Sequence, residues 1–108
     1  YGYGESKDSQ RSKFMRVKDN IVLREIAGQH VLVPVMERVK DVPSMVYISS
    51  SAAYLWKNMD DREFTLEELV DLILSKYKNV TREKAQEDII LFLQILARNN
   101  ILDISDDT

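Results

Sequence analysis

Cysteine is absent from all 108 residues, which excludes disulfides and thiolate metal sites. One histidine, His30, leaves no second imidazole for a zinc site or a proton relay. The three glycines are too few and too scattered for a phosphate-cradling loop. No apolar run approaches the ~20 residues of a membrane span, and no signal-peptide pattern opens the chain. Fifteen Lys and Arg stand against eighteen Asp and Glu, a net charge of −3, so non-specific attraction to nucleic acid is disfavoured. These absences leave a cytoplasmic, non-catalytic protein with no metal and no cofactor as the expectation. The 44% hydrophobic content suits one domain with a single modest core.

What is present is organised around residues 81–99, the longest amphipathic run. Ala85, Ile89, Phe92 and Leu96 recur at helical spacing and define a buried face. Leu91 and Ile95 lie on one flank beside Lys84, Asp88 and Arg98, while Ile90 and Ala97 lie on the other. A helix resting on one surface is polar on at least one flank. This one is expected to pack within the fold on one side and to border a groove on the other.

Residues 1–14 are polar and carry no helical or strand period, so they read as a flexible tail, and residues 105–108 as a second. The domain then spans residues 15–104. Residues 21–26 and 30–35 are rich in β-branched side chains and flank Ala27-Gly28-Gln29, the pattern of a hairpin. Val31, Val33 and Val35 alternate and are expected on the buried face. A charged connection ending at Pro43 leads to a third strand, residues 45–49. In a three-stranded meander this strand is an edge, with backbone groups open on one side.

Three helices follow. Ser49 or Ser50 caps the first, which buries Ala52, Leu55, Trp56 and Met59. Thr65 and Glu68 form a capping box for the second, with Phe64 and Leu69 as its hydrophobic staple. Thr81 caps the third, and Asn99-Asn100 can end it in the left-handed conformation. Residues 101–104 alternate and can return as a short extended segment. The fold class is α+β, a winged helix-turn-helix-like arrangement with a three-stranded antiparallel N-terminal sheet followed by three helices.

No motif carries catalysis. Adjacent acids such as Asp60-Asp61 read as solvated charge. The helix-turn-helix likeness raises DNA binding, but Glu83, Glu87 and Asp88 offset Arg82, Lys84 and Arg98 on the last helix. An open strand edge beside an apolar helix flank instead suits capture of an extended peptide by strand addition. The candidate contacts are Met45, Val46, Tyr47, Ile48 and Ser49 on the strand, with Lys84, Asp88, Leu91, Ile95 and Arg98 on the helix. The same edge also permits a homodimer.

The order Met15-Arg16-Val17-Lys18-Asp19-Asn20-Ile21-Val22-Leu23-Arg24-Glu25-Ile26-Ala27-Gly28, then Val33-Pro34-Val35, resembles the opening of the PqqD family of peptide chaperones. Ile48-Ser49 before a helix with Trp56, the start at Thr65, Tyr77, and Asp88 with Phe92-Leu93 and Leu96 extend the likeness over residues 15–104. Met36 and Asn100 stand where the family often has glycine, and Ser49 where asparagine is frequent. The resemblance implies a recognition element for ribosomally made, modified peptides. Such an element holds the leader of a precursor beside its third strand and against its third helix. It presents the peptide to a modifying enzyme, often a radical S-adenosylmethionine enzyme. An acidic winged-helix domain that binds DNA or protein in transcription is the alternative.

Overall fold

The computed structural model describes residues 14–42 and 44–105. Strands β1 (Phe14–Val17), β2 (Ile21–Ile26) and β3 (Gln29–Pro34) lead through a 3₁₀ turn, Met36–Lys40, to β4 (Val46–Ile48). Helices α1 (Ser50–Met59), α2 (Leu66–Lys76) and α3 (Arg82–Arg98) follow, and β5 (Leu102–Ser105) closes the order. The fold is the expected α+β arrangement, with an antiparallel β2-β3-β4 sheet preceding three helices. The expected tails lie outside the described residues except for Phe14 and Ser105, which pair at the outer ends of β1 and β5. Pro43 also lies outside them.

The β2–β3 hairpin closes on Ile26 paired with Gln29. Ala27 and Gly28 between them both have positive φ, 55° and 80°. Two left-handed residues in a row form the turn whose twist matches the flanking strands. Leu23, Leu32 and Val46 share one face through the register of β2, β3 and β4, and Leu32 and Val46 are buried in the main core. The expectation for Val31, Val33 and Val35 is therefore corrected. Val31 is buried but stands outside the main core cluster, and Val33 and Val35 are half-exposed. Both faces of β3 are apolar at this point, so alternation alone could not say which one meets the helices.

Each helix starts where its cap chemistry puts it. Ser49 Oγ accepts from the Ala52 amide at 3.2 Å. Thr65 Oγ1 accepts from Glu68 N at 3.3 Å while Glu68 Oε1 accepts from Thr65 N at 3.0 Å, a complete capping box. Thr81 Oγ1 accepts from Lys84 N at 3.1 Å. At the end of α3, Asn100 takes φ 63°, Ile101 N donates to Leu96 O at 2.8 Å and Asn100 N to Ala97 O at 3.1 Å. This pair of bonds satisfies the last carbonyls and turns the chain back. Met36 likewise has φ 56°, so both positions at which the resemblance leads one to expect glycine adopt the conformation that glycine suits.

A two-stranded sheet, β1 with β5, was not anticipated as a sheet. Met15 also bridges Phe64, with N–O distances of 2.8 and 2.9 Å, so β1 is held between β5 and the entry to α2. Its alternation buries Met15 and Val17 and exposes Phe14 and Arg16. Arg38 ties the 3₁₀ turn to the corner before β2, donating to Asp41 Oδ2 at 2.8 Å, to Asp19 O at 3.1 Å and to the Asp19 carboxylate. The bond to Asp19 raises the guanidinium pKa, and the charges of Asp19 and Asp41 add to it. Val42, inside the stretch that reads as a charged connection, is fully buried just past this anchor.

Trp56, Phe64, Leu32, Met59 and Leu69 are the largest side chains in the core with essentially no exposure. Among the described residues no polar or charged side chain is buried, so the fold rests on apolar packing. Trp56→Ala is expected to cost ~3–5 kcal/mol, whereas Thr65→Ala, which removes half of the capping box, costs about 1 kcal/mol. Urea denaturation of both variants checks this ranking, and equal losses would remove Trp56 from its place as the core anchor.

Candidate functional site

The site begins at the open side of β4. In the order β2-β3-β4 this strand, among the described residues, pairs only with β3, through Val46 opposite Leu32, Tyr47 opposite Val31 and Ile48 opposite His30. Along an edge strand, alternate backbone donors and acceptors point away from the neighbour. Val46 is buried in the core and Ile48 half-buried against it, while Met45 and Tyr47 are 46% and 56% exposed. The strand is thus anchored by one face and, among the described residues, unpaired along its other border.

Where β4 gives way to α1, a groove of about 470 Å³ opens. Ser49, Ser51, Ala52 and Leu55 form the α1 side, and Ile73, Tyr77 and Val80 the end of α2 and the turn after it. Ala85, Asp88, Ile89 and Phe92 of α3 complete it. The lining is mostly apolar, with small side chains at Ala52 and Ala85 where α1 and α3 both face it. Tyr77 is held in place by an edge-to-face contact with Tyr54, ring centroids 6.5 Å apart, and Lys76 Nζ sits 4.8 Å from the Tyr54 ring centre.

Polar groups in the groove are few and mostly engaged. Ser49 Oγ caps α1 and lies 3.2 Å from Ser51 Oγ. Asp88 meets Lys84 Nζ at 3.2 Å, an exposed i,i+4 pair that also brings Lys84 within 3.9 Å of Glu87. Such a surface pair contributes only ~0.3–0.5 kcal/mol, so the Asp88 carboxylate can exchange Lys84 for another cation at little cost. Shape and apolar contact, with one carboxylate at the rim, are what this arrangement offers to a ligand.

The sequence-expected residues divide. Ser49 and Asp88 line the groove together. Lys84 and Leu91 line a second, shallower hollow on the outward side of α3, with Ile90 and Gln94. The Lys84–Asp88 pair links the two hollows. Leu91 and Ile95 are 55% and 38% exposed, and Arg98 is exposed one turn further on. On the opposite flank Ile90 and Ala97 are exposed too, and Leu93 supplies the buried contact instead. Leu55, Tyr77, Ala85, Ile89 and Phe92 were legible only as core stripe, because a groove wall and a core wall share one helical period.

A family model described as coenzyme PQQ synthesis protein D (PqqD) matches residues 30–102. No curated protein matches the chain. A solved structure described as TbiB1 in complex with the TbiA(beta) leader peptide is similar over 82% of this chain and 94% of that one. Its TM-score is 0.61 and its sequence identity 23%, a likeness of fold.

Because Ser49 is a cap and Ser51 is only its neighbour, the two serines are expected to differ. Ser49→Ala costs about 1 kcal/mol and Ser51→Ala stays within about 0.5 kcal/mol of the parent. Thermal and urea unfolding of the two variants checks this, and the reverse order would mean that the cap at the groove rim is misassigned.

Proposed function

The chain belongs to the PqqD family, and on that premise we propose that it binds the leader segment of a ribosomally synthesised precursor peptide and presents it to a modifying enzyme. The leader adds as a strand to the open side of β4, along Met45, Val46, Tyr47, Ile48 and Ser49, and packs against α3 at Lys84, Asp88, Leu91, Ile95 and Arg98. One observation carries this reading: a strand border unpaired among the described residues ends at Ser49, which also lines a mostly apolar groove with Asp88 and Phe92 of α3. Strand addition needs that juxtaposition, since backbone bonds supply alignment and pockets for alternate side chains supply selectivity. The TbiB1 structure, similar in fold, is described with a leader peptide bound, which supports the same use here.

The chain itself is not an enzyme in this reading. The family resemblance assigns the chemistry to a partner, with the radical S-adenosylmethionine class as the one it implies. One or two aliphatic anchors at ~1.5–3 kcal/mol each, set against the cost of ordering an extended peptide, give a roughly micromolar complex.

Titrating the labelled chain with its leader is expected to shift the amide resonances of residues 45–49 and of the α3 flank from Lys84 to Arg98, leaving β1 and β5 unmoved. N-methylation of alternate leader amides should abolish binding in one register and spare it in the other. Leu91→Glu should weaken binding by about tenfold or more with the fold intact, as its side chain is exposed. Shifts confined to β1 and β5 would remove β4 as the site. Unchanged affinity in Leu91→Glu would remove that residue from the contact.

A further inference from the structure

The parity of backbone bonds in the sheet fixes what the border of β4 offers. The two-residue turn at Ala27-Gly28 makes Ile26 and Gln29 a pair that exchanges both bonds, and bonded pairs recur at every second residue. Val35 N donates to Asn20 O at 2.9 Å, in step with that count. Gln29, Val31 and Val33 therefore bond to β2, and the backbones of His30 and Leu32 turn to β4. Opposite them, Val46 and Ile48 are the bonded residues of β4, so the N–H and C=O of Tyr47 face the other border. A strand added there bonds to Tyr47. Its side chains level with Val46 and Ile48 point toward the helices.

Just past Ile48 the groove begins at Ser49, and among the described residues Asp88 is the one charged side chain on its lining. Lys84 Nζ lies 3.2 Å from Asp88 Oδ1 and 3.9 Å from Glu87 Oε1, so two carboxylates share one ammonium. That ammonium belongs to a residue lining the second hollow, not the groove. Other cations nearby are engaged elsewhere, Arg82 with Asp71 at 2.8 Å and Lys76 over the Tyr54 ring. The positive end of α1 is already capped by Ser49 Oγ. The charge left to direct a ligand in this groove is negative.

We propose that Asp88 selects leaders carrying a lysine or arginine two residues from the apolar side chain that fills the groove. The proposal rests on the leader-binding reading above and narrows its ligand to a class. Both side chains must reach one face of the added strand, and that face recurs at every second residue, about 6.5 Å along. A carboxylate accepts through two oxygens, so a peptide cation adds beside Lys84 without expelling it. An apolar peptide lying over the rim takes water from Asp88, which costs free energy unless a cation replaces it. The same contact sets register. Backbone bonds and facing are restored by a slip of two residues along β4, whereas one placement alone brings the cation to Asp88.

A displayed library of short random peptides is panned on the full chain, on Asp88→Asn and on Asp88→Lys, and the retained peptides are sequenced. Position 88 is exposed, so both variants are expected to keep the parent's circular dichroism spectrum. The parent should enrich Lys or Arg two residues from a large apolar residue. Asp88→Asn should lose that enrichment, and Asp88→Lys should enrich Asp or Glu at the same place. A fluorescein-labelled peptide from the parent's selection should bind Asp88→Asn about fivefold more weakly. Its analogue with the basic residue replaced by glutamine should bind both chains alike. Recovery of nothing, or of peptides that leave the amides of residues 45–49 unshifted, overturns the leader-binding reading and the proposal with it. Peptides that shift those amides but show one charge preference on all three chains overturn the proposal alone. So does a parent that selects acids at that place.

Discussion

The pairing of Leu32 with Val46 joins the two halves of this molecule. Both side chains are buried in the same apolar cluster as Trp56, Phe64 and Leu69, so the sheet is held to the helices by this cross-strand pair and its neighbours. β4 is three residues long, too short to stay in place by backbone bonds alone. Its position depends on Val46 below it and on the cap at Ser49, which starts α1 directly after the strand. A strand secured in this way does not depend on a second neighbour, and among the described residues its other border has none.

The groove follows from the same economy of contact. α1 and α2 run into α3 with alanine at 52 and 85, where larger side chains would close the space beside Ser49. Tyr77 stands at the far side, fixed by Tyr54. The energetic cost of leaving an apolar groove open is met by the core elsewhere, which is large-residue and dry. Asp88, only weakly held by Lys84, gives the rim a charge that can be redirected. Affinity for a peptide would come from shape and backbone bonds, and charge would mainly set register.

Much of the architecture was legible in local patterns. The capping box at Thr65, the left-handed end at Asn100 and the turn at Ala27-Gly28 are each short-range devices, with the partners within a few residues. The position of β4 at the end of the β2-β3-β4 order was legible as the third strand of a meander, and β5, the one strand that follows the helices among the described residues, pairs with β1 instead. The β1–β5 sheet was not, since it joins residues 14–17 to residues 102–105. Four residues with a modest alternation give no warning of a partner so distant along the chain. Of the contacts expected from the sequence, Ser49 and Asp88 lie on the groove, while Leu91 and Lys84 lie on the next hollow. Helical spacing puts Lys84 and Asp88 one turn apart on one flank, and that pair spans the two hollows.

The amino-acid order was enough to settle the β2-β3-β4 meander, the three helices after it and the class of fold, though not β1, because caps, turns and periods act through neighbouring residues. Which face of β3 meets the helices, and which helix residues line a cavity instead of a core, was settled in three dimensions. Val31 and Leu32 are equally apolar and equally buried, and they are told apart only by what packs over them. Burial of that kind is a property of surfaces brought together from distant parts of the chain, which no window of adjacent residues contains.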